Sequence, residues 1–176
     1  EERELTVYIL ADISGSIDGG TRGVSKRDRI TELAAVLAFS AMGNNDKVGA
    51  ILFSDRIEKF IPPKKGRSHV LRIIREILEI EPEGKGTDIT NALDHFLSAM
   101  KKRTVSFLLS DFRSSGYEDL LKRAARKHDF VALKIEDPID IEIPDVGWLP
   151  LKDPESGETK WMRTGSKKER LKYKAI

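Results

Sequence analysis

The chain has 176 residues, 39% apolar and 34% charged, which are the proportions of one globular domain with its own core rather than of a disordered segment. Lys and Arg number 31 against 29 Asp and Glu, and a net charge of +2 provides no global field to attract nucleic acid. The absence of cysteine excludes disulfides, thiolate metal sites and cysteine nucleophiles, and it suits a reducing compartment.

Leu5 to Ala11 (LTVYILA) is a short apolar run ending at Asp12, with the length of a buried strand. Residues 28–42 then place Ile30, Leu33, Ala34, Leu37, Ala38 and Ala41 at helical spacing. Val48 to Phe53 is a second strand. Ser54-Asp55 reads as a tight turn into a short edge strand, Arg56 to Ile61, which Pro62-Pro63 is expected to stop. Ser68 is placed to cap a helix bearing Val70, Leu71, Ile74, Ile77 and Leu78. After the breakers Pro82 and Gly84, either Thr87 or Asp88 caps a helix with Ile89, Ala92, Leu93, Phe96, Leu97 and Met100. Val105 to Leu109 is the next strand, ending at Ser110-Asp111. A helix through Tyr117, Leu120, Leu121, Ala124 and Ala125 follows, then a strand from Phe130 to Ile135.

This alternation predicts an α/β fold of three layers, Rossmann-like: a mostly parallel central sheet, covered on both faces, with one antiparallel edge strand. Residues 1–136 form that core. Residues 137–176 read as an extension packed on the same domain, with a hairpin of Val146 to Leu151 and Thr159 to Arg163 around DPESG and a short basic helix over 166–176. Lys167, Lys168, Arg170, Lys172 and Lys174 are read as a solvated face of that helix rather than a nucleic-acid site. No run approaches the roughly 18 apolar residues of a membrane span, and no signal-peptide pattern is present. The chain opens at Glu1 in a charged lead-in rather than at Met, which points to a piece of a longer protein, so an anchor elsewhere stays open.

In an open parallel sheet, ligands bind beyond the carboxyl ends of the strands, where strand order reverses. Three oxygen-rich segments fall at such ends: Asp12-Ile13-Ser14-Gly15-Ser16, Gly86-Thr87-Asp88 and Ser110-Asp111. Short oxygen side chains without His or Cys suit a hard cation such as Mg²⁺, with Mn²⁺ or Ca²⁺ also compatible. Ser14, Ser16 and Thr87 would supply hydroxyls, and Asp12 and Asp111 charge, directly or through water. In an extended or turning segment alternate residues face one way, so Asp12, Ser14 and Ser16 converge while Ile13 packs away. His69, His95 and His128 lack paired ligand spacing. Gly19, Gly20 and Gly23 form neither a dinucleotide fingerprint nor a Walker A loop.

DISGS after a hydrophobic strand, GTD before a helix and an Asp ending a later strand resemble the metal-ion-dependent adhesion site of von Willebrand factor A (vWA) domains over roughly residues 4–136. More narrowly, KVGAILFSDRIEKFIPPKKGRSH, EPEGKGTDI and FLLSDF resemble a bacterial family of unknown function with a C-terminal vWA-like domain, a likeness that extends to about residue 163. This resemblance implies Asp12, Ser14, Ser16, Thr87 and Asp111 as the metal positions. It also implies a cytoplasmic chaperone-like or assembly role beside a MoxR-type AAA ATPase, with membrane association only through regions outside this chain. One position departs: many vWA domains follow the last Asp with Gly, where this chain has Phe112.

The expected function is a divalent-metal-dependent protein-interaction module, to which a partner supplies an acidic residue. The competing function is a Mg²⁺-dependent phosphohydrolase of haloacid-dehalogenase-like type, with Asp12 as nucleophile and Asp111 on the metal. Such enzymes carry a second Asp two positions on, where this chain has Ser14.

Overall fold

The structure is a computed structural model that describes residues 4–15, 24–136, 147–152, 158–163 and 165. Strands β1 (Thr6–Asp12), β2 (Lys47–Phe53), β3 (Ile57–Lys64), β4 (Val105–Ser110) and β5 (Asp129–Lys134) form one sheet in the order β3-β2-β1-β4-β5. All its pairings are parallel except β2 with β3. Helices α1 (Lys26–Gly43), α2 (Arg67–Glu79), α3 (Ile89–Ala99) and α4 (Glu118–Lys127) connect them, as the expected α/β architecture requires. Strands β6 (Trp148–Lys152) and β7 (Thr159–Arg163) pair as a separate antiparallel hairpin. The basic segment 166–176 lies outside the described residues.

The alternation of β1 divides the core. Val7, Ile9 and Ala11 pack with Ile30, Ala34 and Ala38 of α1 and with Val70, Ile73 and Ile77 of α2. Tyr8 and Leu10 face the other way, against Ala92, Leu93 and Phe96 of α3 and Ala124 of α4. A strand covered on both faces must be apolar at every position, which explains the unbroken run from Val7 to Ala11. Gly49 lies beside Tyr8 in the β1–β2 register. A Cβ there would sit 2.7 Å from the Tyr8 ring and 3.0 Å from the Ile61 carbonyl oxygen. Gly49→Ala should therefore destabilise the fold by about 1–3 kcal/mol, measurable as a lower midpoint of chemical denaturation.

Four local expectations are corrected. Pro62-Pro63 does not stop β3, which continues to Lys64. It pairs with β2 alone, on the sheet edge, and its register shifts between Val48 and Ala50, so the missing proline N–H groups fall at a bulge. Ser68 does not cap α2: the N-cap is Gly66 at φ 101°, a left-handed conformation that favours glycine, and no side chain caps it. Leu71 and Leu78 are exposed, and His69 joins Val70, Ile73 and Ile77 on the buried stripe, its Nε2 bonded to the Val48 carbonyl at 2.9 Å. Helix α1 begins at Lys26, ahead of the expected residue 28, because Ser25 and Asp28 form a reciprocal capping box.

Candidate metal centre

Strand β1 is followed in the chain by β2 on one side and later by β4 on the other, so the order of crossovers reverses between β1 and β4. The carboxyl ends of these two strands place Asp12 beside Ser110, with Asp111 immediately after. Asp12 is fully buried. Its Oδ1 accepts from the Ser14 N–H at 3.0 Å and from the Ser14 hydroxyl at 2.6 Å, and its Oδ2 accepts from the Ser110 hydroxyl at 2.6 Å. Thr87, just ahead of α3, donates its hydroxyl to Ser14 Oγ at 2.6 Å. Asp12, Ser14 and Thr87 thus form one hydrogen-bonded chain of oxygens drawn from two distant segments.

Asp111 has a different environment. Its Oδ2 lies 3.2 Å from the Lys26 ammonium, with both side chains buried, and 3.6 Å from Arg113 Nε. Its Oδ1 accepts the Arg113 N–H at 3.2 Å. Ser16 lies outside the described residues. Of the two candidate caps of α3, Asp88 is the N-cap and accepts from the Asn91 N–H at 2.9 Å, leaving the Thr87 hydroxyl to the Ser14 side.

Burial pushes the Asp12 carboxyl up to about 6, against the opposing pull of its hydrogen bonds from Ser110 and Ser14; the charge of Asp111 pushes the same way as burial. A carboxylate removed from water and met by neutral donors is a group whose ionised form a cation would stabilise. Among the described residues no three His, Cys, Asp or Glu side chains converge as a ligand set. The donors are hydroxyls with one or two carboxylates, which fits Mg²⁺ with part of its water shell retained. When bound, such an ion would supply a Lewis-acidic centre with a coordination position for an outside oxygen ligand.

The surrounding loops hold this set from several directions, and two of the residues involved, Arg27 and Glu58, were not singled out by sequence patterning. The Arg27 guanidinium donates to the Ile13 carbonyl at 2.9 Å and to the Ile80 carbonyl at 2.7 Å, tying the loop after β1 to the end of α2. Glu58, near the start of β3, accepts from the Ser54 hydroxyl and from the Gly84 N–H at 2.8 Å. Asp55 is a turn residue, as expected, and its Oδ2 also accepts the Lys85 N–H at 3.2 Å. The Asp88 N–H donates to the Ser54 carbonyl at 2.9 Å. The β2–β3 turn therefore braces the segment that carries Thr87. Phe112 adopts φ 59°, the left-handed conformation that glycine favours, while its ring packs on Tyr117 with centroids 5.6 Å apart. The loop after Asp111 thus takes a glycine-like turn without a glycine, at a strain of roughly 1–2 kcal/mol.

A family model described as "Protein of unknown function DUF58" matches residues 1–176. Uncharacterised proteins of Mycobacterium tuberculosis and Mycobacterium bovis are each 31% identical over 159 residues, covering 89% of this chain and 50% of theirs. The chain thus spans about half the length of these curated relatives. Among solved structures, an aerotolerance-related membrane protein from Bacteroides fragilis is similar with a TM-score of 0.68 and 20% identity, over 97% of this chain and 88% of that one. The conserved hypothetical protein BatB from Bacteroides thetaiotaomicron gives a TM-score of 0.66 and 19% identity, over 97% and 87%. Identities this low speak to the fold alone.

Proposed function

The chain belongs to the DUF58 family, and we propose that it is a divalent-metal-dependent protein-interaction domain of vWA type. The observation that carries this reading is the convergence of buried Asp12 and Ser14 with part-buried Thr87 on one oxygen cluster at the reversal point of the sheet. Mg²⁺ is the ion its donors favour, with Mn²⁺ and Ca²⁺ as alternatives. Asp12, Ser14, Thr87 and Asp111 hold it, joined by Ser16 on the strength of the DxSxS resemblance. Neutral hydroxyls leave the ion with excess positive charge, and a partner's Asp or Glu completes its coordination through a charge-assisted contact. The resemblance to families that accompany MoxR-type AAA ATPases makes such an ATPase the partner to try first, with assembly or chaperone-like activation as the process.

No helix among the described residues is long and apolar enough to cross a membrane. The similar Bacteroides fragilis structure is described as that of a membrane protein. That description supports membrane association through segments outside this chain; the cytoplasmic side rests on the family resemblance.

The test is a calorimetric titration of Mg²⁺ and Mn²⁺ into metal-stripped protein. The wild type is expected to show saturable one-site binding, and Asp12→Ala to weaken it by more than about 100-fold, since even supporting residues of metal sites contribute about 10–100-fold. A wild type that binds neither ion sinks the reading. Sustained Mg²⁺-dependent turnover of p-nitrophenyl phosphate, lost in Asp12→Asn, would replace it with the phosphohydrolase, in which Lys26 would be the nearby phosphate-holding cation.

A further inference from the structure

Lys26 is the first residue of α1 and is only 3% exposed, a rare place for a lysine. Taking an ammonium out of water is offset only by a close opposite charge, and Asp111 supplies one at 3.2 Å. Arg113 approaches the same oxygen at 3.6 Å, but its side chain is 40% exposed, so its charge is largely screened at the rim. Asp12, by contrast, is met by the neutral hydroxyls of Ser14 and Ser110. The two acidic side chains of the site among the described residues are therefore not equivalent: one is paired with a buried cation and the other is held by neutral donors.

We infer that Lys26 sets the charge of the metal centre: its buried ammonium cancels Asp111, so that a divalent ion beside Asp12 keeps a net positive charge and selects an anionic ligand from outside. The inference rests on the metal-binding reading above and adds a residue to it. Among the described buried side chains of the site, two carboxylates and one ammonium leave a single negative charge, which a divalent ion converts to a single positive one. Without the lysine the loaded site would be neutral, and an incoming carboxylate would lose its electrostatic attraction. Removing Asp111 alone would leave the ammonium facing the ion and repelling it.

A double-mutant cycle tests this, with Mn²⁺ affinity measured in metal-stripped protein and folding followed by circular dichroism. Asp111→Asn is expected to weaken Mn²⁺ binding by at least about tenfold, because a buried like charge opposes the ion. Adding Lys26→Met to that variant should recover part of the loss, at least about threefold, since the opposing buried charge is gone although the Asp111 ligand is still missing. Lys26→Met by itself should bind Mn²⁺ more tightly than wild type, yet its loaded form should bind acetate more weakly. If the double variant binds Mn²⁺ as poorly as Asp111→Asn, Lys26 merely positions Asp111 and the inference is overturned. The double variant removes both members of the buried Lys26–Asp111 pair together, so it decides the question even if Lys26→Met fails to fold. Absence of Mn²⁺ binding by the wild type would instead remove the metal-centre reading itself, a different result from a failed rescue.

Discussion

Asp12→Asn is expected to stabilise the metal-free protein by about 3 kcal/mol above pH 6.5 or so, and to change its stability little near pH 4. Burial pushes the Asp12 carboxyl up to about 6, from an ordinary value of 3.8. Between those values the folded protein retains a proton that the unfolded chain has released. Stability therefore falls as the pH rises through this window, and it levels off once Asp12 is ionised in both states. A shift of that size corresponds to about 3 kcal/mol. Asparagine cannot ionise, so it escapes the loss, and the Ser14 and Ser110 hydroxyls can turn to meet its amide. Denaturation with a chelator present, at pH 4.5 and pH 7.5, measures the difference between the two proteins. Equal destabilisation of the variant at both pH values would show that the carboxylate is held as a satisfied anion. The variant should also lose metal binding, and Mg²⁺ should return stability to the wild type alone. A buried carboxylate that weakens the empty fold is a common cost of a site kept ready for a cation.

Gly84→Ala is expected to cost about 2 kcal/mol or more and to impair metal binding at the same time. A Cβ at residue 84 would collide with Ser54 Oγ and Asp55 Oδ1. Ser54 is fully buried and its hydroxyl is committed to Glu58, so it cannot simply rotate away. Moving the loop instead would break the Gly84 N–H bond to Glu58 and disturb the Asp88 N–H bond to Ser54. Thr87 lies on this segment, and its 2.6 Å contact with Ser14 would be lost with it. Denaturation midpoints and Mn²⁺ titration read the two effects separately. A variant with reduced stability but undiminished affinity would show that Thr87 does not depend on this brace. Glu58→Gln is the milder companion: it keeps the shape and should weaken the brace without the collision.

Much of the architecture was legible because its cause is periodic. Val7 to Ala11, Val48 to Phe53 and Leu108-Leu109 are buried runs, and a strand covered on both faces must be written as one. The sequence alone determined Asp12 and Ser14 as neighbours facing one way, since alternate residues of a turning segment do so whatever surrounds them. It also placed Thr87 and Asp111 at element ends. Tertiary structure decided which of these oxygens meet. Thr87 reaches Ser14 across 73 residues because α3 starts beside the end of β1, whereas Asp111 engages Lys26. Nothing in the charged stretch Ser25-Lys26-Arg27-Asp28 marks Lys26 or Arg27 as different from solvated helix-start residues. The burial of Lys26 and the part-burial of Arg27 follow from where the first turn of α1 docks, at the strand ends where crossovers reverse. The brace from Glu58, the continuation of β3 through Pro62-Pro63 and the left-handed turn at Phe112 have the same origin. Each depends on a neighbour distant in sequence. Periodicity reports which face of an element is apolar; the partner of a charged group is set only when the elements pack.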